Sequence, residues 1–382
     1  MRILLLHTSY LQKGGEDAVF KNEAALLKDL AAVRTMELQN IPGWKGAGQF
    51  LLSIWNVFSA RRLKKLIDDW QPDVIHLHNF HFAMGPLVVR VAKRKKIPVV
   101  LTLHNYRLLC PSATLLHKGS LFTQSLQAGF PWGAVRRRVY RNSFFQTFWL
   151  AFVFWFHKEI GTWKLIDRYI VLTDFAREVF VRSSLGVGQE KFITKPNFRT
   201  PGVRAIARTG SHFLYIGRLS EEKGIEVLLK AFANSNVPLL IAGEGPMEDV
   251  VVAAAKQHAN IRYIGPLDRE GVEQHLLACS ALVFPSIWYE GLPMTLIEAF
   301  STGTAVIASR LGAMADIVQD GHNGLHFTAG DAQELAARIR DWQEMSEVQR
   351  QTYRRNAWLS YESRYTPEIN RKQLLAIYRT VV

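Results

Sequence analysis

The sequence predicts an α/β protein with two domains, each built on a parallel sheet with helices packed against it. The chain has 382 residues and is 48% hydrophobic, which is enough length and apolar content for two cores of ordinary size. Short apolar runs that end in polar or glycine residues alternate with amphipathic runs, as expected of strands and helices in such sheets. Residues 199–211 contain Pro201, Gly202 and Gly210 without hydrophobic periodicity, which predicts a linker between the domains.

The first domain opens with an apolar strand over residues 1–7, which a glycine pair separates from an amphipathic run. Further strands are predicted over residues 72–79, 99–103 and 166–173, and a helix is predicted over residues 51–69. Several of these strands end in polar side chains. Functional residues in open α/β sheets lie at the carboxyl ends of the strands, so a site is expected there.

Two features near these strand ends are candidates for ligand contacts. Gly14 and Gly15 have no side chains, so the backbone of their loop could approach a ligand closely, although a plain turn is the commoner reason for such a pair. His104 directly follows the strand over residues 99–103, where a single histidine is more often structural than functional. The residues alone leave both alternatives open.

The second domain is predicted to alternate strands with helices that begin near residues 225 and 331. Its strands lie at residues 212–216, 238–245, 261–267, 281–285 and 305–309. The first of these strands leads into a loop that contains Gly217, Arg218 and Lys223. Two cations at a strand-to-helix junction could balance the charge of a diphosphate. An exposed loop of mixed charge is the alternative.

Two carboxylates lie on either side of a predicted helix start in the second domain. A helix is expected from Pro293 to about residue 302, because proline suits the first helical position and Gly303 follows the last apolar residues. Glu290 then precedes the helix and Glu298 lies inside it. The unpaired N–H groups of the first turn suit phosphates, so a sugar and a ribose could each use one carboxylate. Two solvated glutamates are the alternative.

The spacing of Glu290 and Glu298 resembles the Glu-x7-Glu signature of the retaining glycosyltransferases of family 4, which have the GT-B fold. Residues 217–224, with the pattern Gly-Arg-x4-Lys-Gly, resemble the diphosphate clamp of that family. Residues 102–111, Thr-Leu-His-Asn-Tyr-Arg-Leu-Leu-Cys-Pro, resemble a subset that builds bacterial surface polysaccharides. The resemblance extends over nearly the whole chain.

This resemblance implies two Rossmann-like domains whose parallel sheets face each other across a cleft. The acceptor-side domain would comprise residues 1–200 and would be completed by residues 366–382, a final helix that returns to it. The nucleotide-sugar-binding domain would comprise residues 201–365. Catalysis would then require the cleft to close.

The resemblance also implies roles for individual residues. The catalytic residues would be His104, Arg218, Lys223 and Glu290. The donor-binding residues would be Gly14, Gly15, Gly217, Leu267, Gly291, Leu292, Pro293, Met294 and Glu298. Glu290 would hold the sugar hydroxyls, Glu298 the ribose, and His104 the donor sugar, while the backbone near Leu267 would contact the base. The family is thought to use no protein nucleophile, and the departing phosphate can accept the acceptor's proton.

No metal ion or other cofactor is expected. The sequence contains no Asp-x-Asp, and fixed cations without metal-binding aspartates favour a metal-independent site. Cys110 and Cys279 lie far apart without metal-ligand spacing, which suits a reducing cytoplasm.

The positive charge of the chain is concentrated in its first half. The net charge is +14, and residues 1–200 contain 29 basic and 13 acidic residues. Between Asp73 and Glu159 there is no acidic residue. Such a bias implies an anionic partner, either nucleic acid or the cytoplasmic face of a membrane.

Residues 144–156 form an uncharged run of 13 residues that is rich in aromatic side chains. The run is too short to span a bilayer, which needs about 20 residues. It could lie in the headgroup region with basic residues on either side, or it could be a core helix, and both alternatives stay open. Nucleic acid is disfavoured because the run lacks interleaved polar residues. The charge and this run therefore predict a cytoplasmic protein that is peripheral on the inner face of the membrane, and the family resemblance implies a nucleotide-sugar donor and a lipid-linked saccharide acceptor.

Two other functions remain compatible with the sequence. A nucleotide-sugar epimerase or hydrolase on the same fold would consume the donor without an acceptor. A non-catalytic polyanion-binding protein would explain the basic first half but would leave the paired cations and glutamates of the second domain unexplained.

Overall fold

Two six-stranded parallel sheets organise the chain. The computed structural model describes residues 1–9, 15–202, 210–233 and 235–382. These residues form two units: the first comprises Met1–Leu115, Phe122–Asn197 and Asn370–Val382, and the second comprises Leu116–Leu121 and Phe198–Ile369. The predicted linker falls largely on residues 203–209, which lie outside the described residues, as does Gly14.

Helices and strands alternate along both units. Within the described residues the strands are β1 (Arg2–Ser9), β2 (Ala32–Gln39), β3 (Val74–Leu77), β4 (Val99–Leu103), β5 (Leu116–His117), β6 (Ser120–Leu121), β7 (Arg168–Val171), β8 (Phe192–Thr194), β9 (Phe213–Ile216), β10 (Leu239–Ala242), β11 (Ile261–Gly265), β12 (Ala281–Phe284), β13 (Val306–Ser309) and β14 (Gly324–Phe327). The α-helices are α1 (Gly15–Lys28), α2 (Gly43–Leu52), α3 (Val57–Trp70), α4 (Leu87–Arg94), α5 (Trp132–Arg136), α6 (Phe144–Glu159), α7 (Asp174–Val181), α8 (Ile225–Ala233), α9 (Glu248–Gln257), α10 (Arg269–Ala278), α11 (Met294–Ser301), α12 (Ala313–Ile317), α13 (Ala332–Glu344), α14 (Glu347–Arg364) and α15 (Pro367–Arg379).

The sheet of the first unit has the strand order β2-β1-β3-β4-β7-β8, with every pair parallel. Four of these strands were predicted, but β2 and β8 were not. β2 lies at an edge, and Met36 is its one fully buried residue. An edge strand exposed in this way has no apolar run, which is why its sequence gives little signal.

The helix predicted over residues 51–69 is interrupted. Helix α2 ends at Leu52, and α3 begins at Val57 after a cap at Asn56. The Asn56 side chain accepts hydrogen bonds from the backbone N–H groups of Phe58 and Ser59, both at 3.1 Å. An N-cap of this kind satisfies donors that would otherwise be unpaired, and it starts a new helix there.

The sheet of the second unit has the order β11-β10-β9-β12-β13-β14 and is also parallel. Alternate residues of β9 point to opposite faces, so Phe213 and Tyr215 lie in one core and Leu214 lies in the other. One core includes side chains of α8, α9 and α13, and the other includes side chains of α10, α11, α12 and α14. The predicted α/β class with two parallel sheets is confirmed.

The last helix completes the first unit, as predicted. Leu374, Ile377 and Tyr378 of α15 pack in one hydrophobic cluster with β1, β3, β4 and β7. The Tyr378 hydroxyl also lies 2.7 Å from Nδ1 of His76. The sequence did not predict that the short hairpin of β5 and β6 would group with the second unit.

Candidate functional site

Two loops of the second unit meet where its strand order reverses. From β9 the chain first adds β10 and β11 on one side of the sheet. It then returns to add β12 on the other side of β9, so the strand order reverses there. Ligands of open α/β sheets bind outside the carboxyl ends of the strands at this reversal. The loop after β9 contains Arg218 and Lys223, and the loop after β12 contains Glu290. The fold therefore brings the loop of the predicted cations against the loop of one predicted glutamate, and Lys223 meets Glu290 there.

Backbone contacts hold these two loops together. The carbonyl oxygen of Glu222 accepts hydrogen bonds from the N–H of Ile287 at 2.9 Å and from the hydroxyl of Ser286 at 3.1 Å. Gly224 has a φ of +73°, and a Cβ at this position would lie 1.9 Å from the carbonyl oxygen of Pro285. This approach is possible because glycine has no side chain and tolerates positive φ.

The Glu290 carboxylate is buried and accepts three hydrogen bonds on one oxygen. Its Oε1 lies 2.7 Å from Nζ of Lys223, 2.7 Å from Oγ of Ser286 and 2.8 Å from Nε1 of Trp288. The Lys223 ammonium also lies 5.3 Å from the centre of the Trp288 ring, a cation–π distance. Because all three bonds fall on Oε1, Oε2 is the oxygen through which Glu290 could accept a hydrogen bond from a ligand hydroxyl.

Arg218 is exposed, and the part of the chain described here offers it no acidic partner in an ion pair. Its loop is ordered through the backbone, because the Tyr215 hydroxyl donates to the Arg218 carbonyl oxygen at 2.9 Å. The preceding Gly217 contacts the turn after β10, where a Cβ on Gly243 would lie 1.9 Å from the Gly217 carbonyl oxygen. An ordered loop with an unpaired guanidinium can bind an anion such as a phosphate.

The predicted helix after Glu290 begins one residue later than expected. Pro293 is the N-cap of α11, with φ −70° and ψ 108°, rather than its first helical residue. No side chain of the described residues caps the helix, so the N–H groups of its first turn remain available to an anionic group. Gly291 and Leu292 link Glu290 to this turn, and Met294 is the first residue of the helix.

Glu298 is not free, because it forms an ion pair with Arg199. An Oε1 to Nη1 distance of 2.8 Å joins the two side chains, and Arg199 also lies 3.6 Å from Glu273. Burial raises the pKa of Glu298 above its ordinary value, and the Arg199 guanidinium opposes that shift. A ribose hydroxyl at Glu298 would therefore share the carboxylate with Arg199, a residue that sequence reasoning had placed only in the linker.

Leu267 lies apart from the paired loops. It follows β11, which is separated from β9 by β10 in the sheet, and it is half-buried against Gly271. Its position at the carboxyl end of a strand is the one predicted.

The first unit has its own group of polar residues at the carboxyl ends of β1 and β4. His104, Glu16 and Asn105 line one small cavity, and the Asn105 amide donates to Oε1 of Glu16 at 2.8 Å. Burial raises the pKa of Glu16 to about 7. Burial holds the pKa of His104 well below its ordinary value. Gly15 is the exposed first residue of α1.

Several residues of the two sites were not predicted. Ser286 and Trp288 hold Glu290, Arg199 holds Glu298, and Glu16 and Asn105 adjoin His104. Three of these residues had a usable signal in the sequence. Ser286 and Trp288 are polar donors just before a buried carboxylate, and Asn105 is an amide at a strand end, where buried polar groups need hydrogen-bond partners. Arg199 gave none, since its partners lie far away in the sequence.

Helix α6, within the predicted apolar run, has both a buried and an exposed side. Leu150, Val153 and Phe154 are buried, whereas Phe144 and Phe145 are 51% and 58% exposed. The helix is thus a core helix along one side and an aromatic surface at its start. The core-helix alternative thus holds along one side, and contact with a membrane stays a prediction.

Helix α2 also exposes apolar side chains. None of its side chains is buried, and it is joined to α6 by the Trp149 indole, which donates to the Phe50 carbonyl oxygen at 2.9 Å. We call the following set the aromatic surface: Trp44, Leu51, Leu52, Trp55, Phe58, Trp132, Phe144 and Phe145. Among the described residues, no helix has both the length and the apolar character needed to cross a bilayer.

Two protein-family models match adjoining parts of the chain. Glycosyltransferase Family 4 matches residues 29–198, and Glycosyl transferases group 1 matches residues 200–357. The two matches meet close to the boundary between the units.

Relatives in sequence and structure agree with these matches. The chain is 29% identical to a glycogen synthase of Mycobacterium tuberculosis over 73% of its length and 62% of the relative. It is 30% identical to a phosphatidyl-myo-inositol mannosyltransferase of Mycobacterium leprae over 57% of its length and 60% of the relative. The chain thus spans about three fifths of these relatives. The crystal structure of Anabaena Alr3699/HepE in complex with UDP and glucose aligns over 100% of both chains, with a TM-score of 0.69 and 17% identity, a likeness of fold.

Proposed function

The chain belongs to the family 4 glycosyltransferases, the glycosyl transferases group 1, and from this premise we propose that it is a retaining glycosyltransferase that moves a sugar from a nucleotide sugar to a hydroxyl group. One observation supports this function most. The Lys223–Glu290 ion pair joins the two loops at the strand-order reversal of the second sheet; the first of these loops also contains the exposed Arg218, and the second leads into the start of α11. This arrangement supplies two cations and free amides for a diphosphate, and a carboxylate for a sugar.

In the proposed reaction, the bond between the anomeric carbon and the diphosphate oxygen breaks. The acceptor oxygen forms a bond to the same carbon on the same face, and its proton passes to the departing phosphate oxygen. Arg218, Lys223 and the first-turn N–H groups of α11 would stabilise the charge that develops on the phosphate. These groups are part of the protein, so no metal ion is required in this proposal.

The remaining roles follow the family resemblance. Oε2 of Glu290 would accept hydrogen bonds from sugar hydroxyls, and Glu298 would accept one from the ribose. His104 would contact the donor sugar, Gly15 the phosphate or acceptor, and the backbone near Leu267 the base. We propose a lipid-linked saccharide acceptor and a role in bacterial surface polysaccharide synthesis.

Incubation with a panel of nucleotide sugars and lipid-linked saccharide acceptors tests the reaction. The panel begins with UDP-glucose, because the Anabaena HepE structures include a complex with it. We expect acceptor-dependent release of nucleotide, unchanged by EDTA, and a product with the anomeric configuration of the donor in its NMR spectrum. Release at the same rate without acceptor would indicate a hydrolase or an epimerase, and inversion would exclude the retaining mechanism.

A lipid-linked acceptor calls for a membrane location, which the aromatic surface supports. Trp44 is 81% exposed and Phe58 is 65% exposed, and the arginine cluster at residues 136–138 lies in the same unit. Aromatic side chains bury in the headgroup region, and basic side chains meet anionic lipid there. We therefore propose peripheral binding to the anionic cytoplasmic face of a membrane rather than to nucleic acid.

Cosedimentation with vesicles tests this location. We expect binding to vesicles that contain phosphatidylglycerol, weaker binding to pure phosphatidylcholine, and little binding to duplex DNA at physiological salt. The double substitution Trp44→Ser with Phe58→Ser should reduce vesicle binding at least ten-fold. Val348→Ser is the matched control, because Val348 is 74% exposed but lies in the second unit. Tighter binding to DNA than to vesicles would exclude the membrane proposal.

A further inference from the structure

A row of buried polar side chains lies behind His104 in the first unit. Nζ of Lys195 is 2.6 Å from Oε1 of Glu23, and Oε2 of Glu23 is 3.2 Å from Nε2 of His78. Nδ1 of His78 is in turn 3.3 Å from Nε2 of His104, and the two rings stack with centroids 5.5 Å apart. Four side chains from separate elements are therefore connected in one row.

The charges of Lys195 and Glu23 neutralise each other, so the row needs no charge on His78. Lys195 and Glu23 are both 0% exposed, so an ionised carboxylate and an ammonium neutralise each other in the interior. Burial alone would raise the pKa of Glu23, but Lys195 and the adjacent His78 hold it well below its ordinary value. A second buried cation next to this pair would have no counter-charge. A His78 with a proton on only one ring nitrogen keeps this buried group electrically balanced.

A metal ion does not explain the cluster, although Glu23, His76 and His78 converge closely enough to hold one. Both nitrogens of His76 are already bonded, Nδ1 to the Tyr378 hydroxyl and Nε2 to the Thr102 hydroxyl, each at 2.7 Å. The Lys195 ammonium occupies the cation position on Glu23. The donor set thus suits a hydrogen-bonded row and repels a further cation.

The position of each proton follows from Glu23. An ionised carboxylate only accepts, and its Oε2 lies 3.2 Å from Nε2 of His78, while neither atom has a hydrogen-bond partner elsewhere among the described residues. Nε2 of His78 must then bear the proton, which leaves a lone pair on its Nδ1. That lone pair accepts from Nε2 of His104, so the remaining nitrogen of His104, Nδ1, keeps a lone pair.

We propose that Glu23 and His78 are positioning residues that hold His104 as the neutral Nε2–H tautomer, with Nδ1 as a hydrogen-bond acceptor for a sugar hydroxyl. This inference rests on the proposed function, in which His104 contacts the donor sugar. It adds to that function by stating which ring nitrogen of His104 accepts a hydrogen bond from the sugar. His104 receives a hydroxyl proton in a hydrogen bond and does not donate to a phosphate.

The tautomer can be measured without turnover. Long-range ¹H–¹⁵N correlation spectra of the full chain, labelled at histidine with ¹⁵N, distinguish protonated from unprotonated ring nitrogens. The His104 signals are assigned by their loss in His104→Gln. We expect His104 and His78 each to be protonated at Nε2 only. A His104 protonated at Nδ1, protonated at both nitrogens, or averaged between tautomers at neutral pH overturns the proposal.

Variants separate positioning from packing. In Glu23→Gln the amide can donate to His78, so the preferred proton positions of both histidines should invert. We expect kcat to fall roughly 10- to 100-fold, the size of effect known for the outer partner of a metal-bound histidine, while the affinity for the nucleoside diphosphate stays unchanged. The matched control is His157→Gln, because His157 is another buried histidine with both nitrogens bonded, to Thr162 and to the Ile54 carbonyl. The control should lose stability without changing the His104 signals.

The outcomes distinguish this inference from the proposed function. If the wild-type protein transfers no sugar from any donor, the proposed function fails, yet the wild-type spectrum still decides the tautomer. If transfer occurs and His104 is not the Nε2–H tautomer, only the inference fails. Should Glu23→Gln not fold, the wild-type spectrum remains decisive.

Discussion

The Lys223 ammonium lies 2.7 Å from the Glu290 carboxylate, and the two side chains are only 20% and 6% exposed. The cation proposed to bind phosphate and the carboxylate proposed to bind the sugar are thus one largely buried ion pair. Each depends on the other for its charge balance, so replacing one also disturbs the other.

We expect Lys223→Met to affect both activity and stability. Loss of one preorganised cation should lower kcat at least 100-fold, since such a donor is worth roughly 3 kcal/mol of barrier. The free energy of unfolding should fall by about 1–3 kcal/mol, because Glu290 keeps only the neutral donors Ser286 and Trp288. Steady-state kinetics and urea unfolding measure the two effects. Adding Glu290→Gln should recover part of the stability but none of the activity, and wild-type activity in Lys223→Met would exclude the clamp.

Arg218→Ala should abolish transfer and leave the fold intact. The side chain is exposed and has no ion pair in the described residues, so the free energy of unfolding should change by less than about 0.5 kcal/mol. Arg262→Ala is the control, because Arg262 is an exposed arginine of the same unit on β11. Transfer assays and thermal unfolding are compared for the two variants. Equal transfer activity in the two variants would show that Arg218 does not bind the diphosphate.

Glu298→Gln should weaken nucleotide binding more than it slows the chemical step. A ribose contact is present in both ground state and transition state, so KM for the donor should rise about ten-fold with kcat nearly unchanged. Calorimetry with the nucleoside diphosphate should show a similar loss of affinity. Glu273→Gln provides the control, since Glu273 also lies near Arg199, at 3.6 Å, but not on α11. An equal loss in both variants would assign the effect to Arg199 instead.

Gly224→Ala should be strongly destabilising. Its φ of +73° is unfavourable for alanine, and the new Cβ would also lie 1.9 Å from the Pro285 carbonyl oxygen. Gly321→Ala isolates the first effect, because Gly321 has a φ of +75° and nothing within 4 Å of the added Cβ. Urea unfolding should show a loss of about 1–2 kcal/mol for Gly321→Ala and clearly more for Gly224→Ala. Equal losses would mean that the two loops do not depend on this close approach.

Glu16 should make the stability of the protein depend on pH. Its folded pKa of about 7 lies above the ordinary value of 4.5, so its contribution is full below pH 4.5 and is lost as the pH rises through 7. The difference in unfolding free energy between wild type and Glu16→Gln should therefore change by up to about 3 kcal/mol across this range. Urea unfolding at several pH values measures it. Parallel curves for the two proteins would contradict the shifted pKa.

The sequence predicted most of the fold because buried parallel strands are continuous apolar runs. It missed β2, whose side chains are mostly exposed, and it began one helix at residue 51, before the Asn56 cap that starts α3. The first error concerns a signal that depends on neighbouring strands rather than on local composition. The roles assigned to the site residues remain predictions.

Motif spacing in the sequence identified the candidate residues Arg218, Lys223, Glu290 and Glu298. It did not predict the ion pairs that hold such residues in place. Arg199 meets Glu298, and Lys195 meets Glu23, across long separations in sequence that only the fold closes. Long-range ion pairs of this kind have no periodicity to recognise. The proton positions proposed for His78 and His104 depend on the Lys195–Glu23 pair, so the sequence could not predict them.

The packing of Leu374, Ile377 and Tyr378 against β1 has a consequence for biosynthesis. These side chains leave the ribosome after Phe198–Ile369 of the second unit. The hydrophobic core of the first unit is therefore incomplete until the end of synthesis. At 5–20 residues per second, this delay is on the order of ten seconds or more. During translation, the β1 surface that α15 later covers is a place where a chaperone could bind the emerging chain.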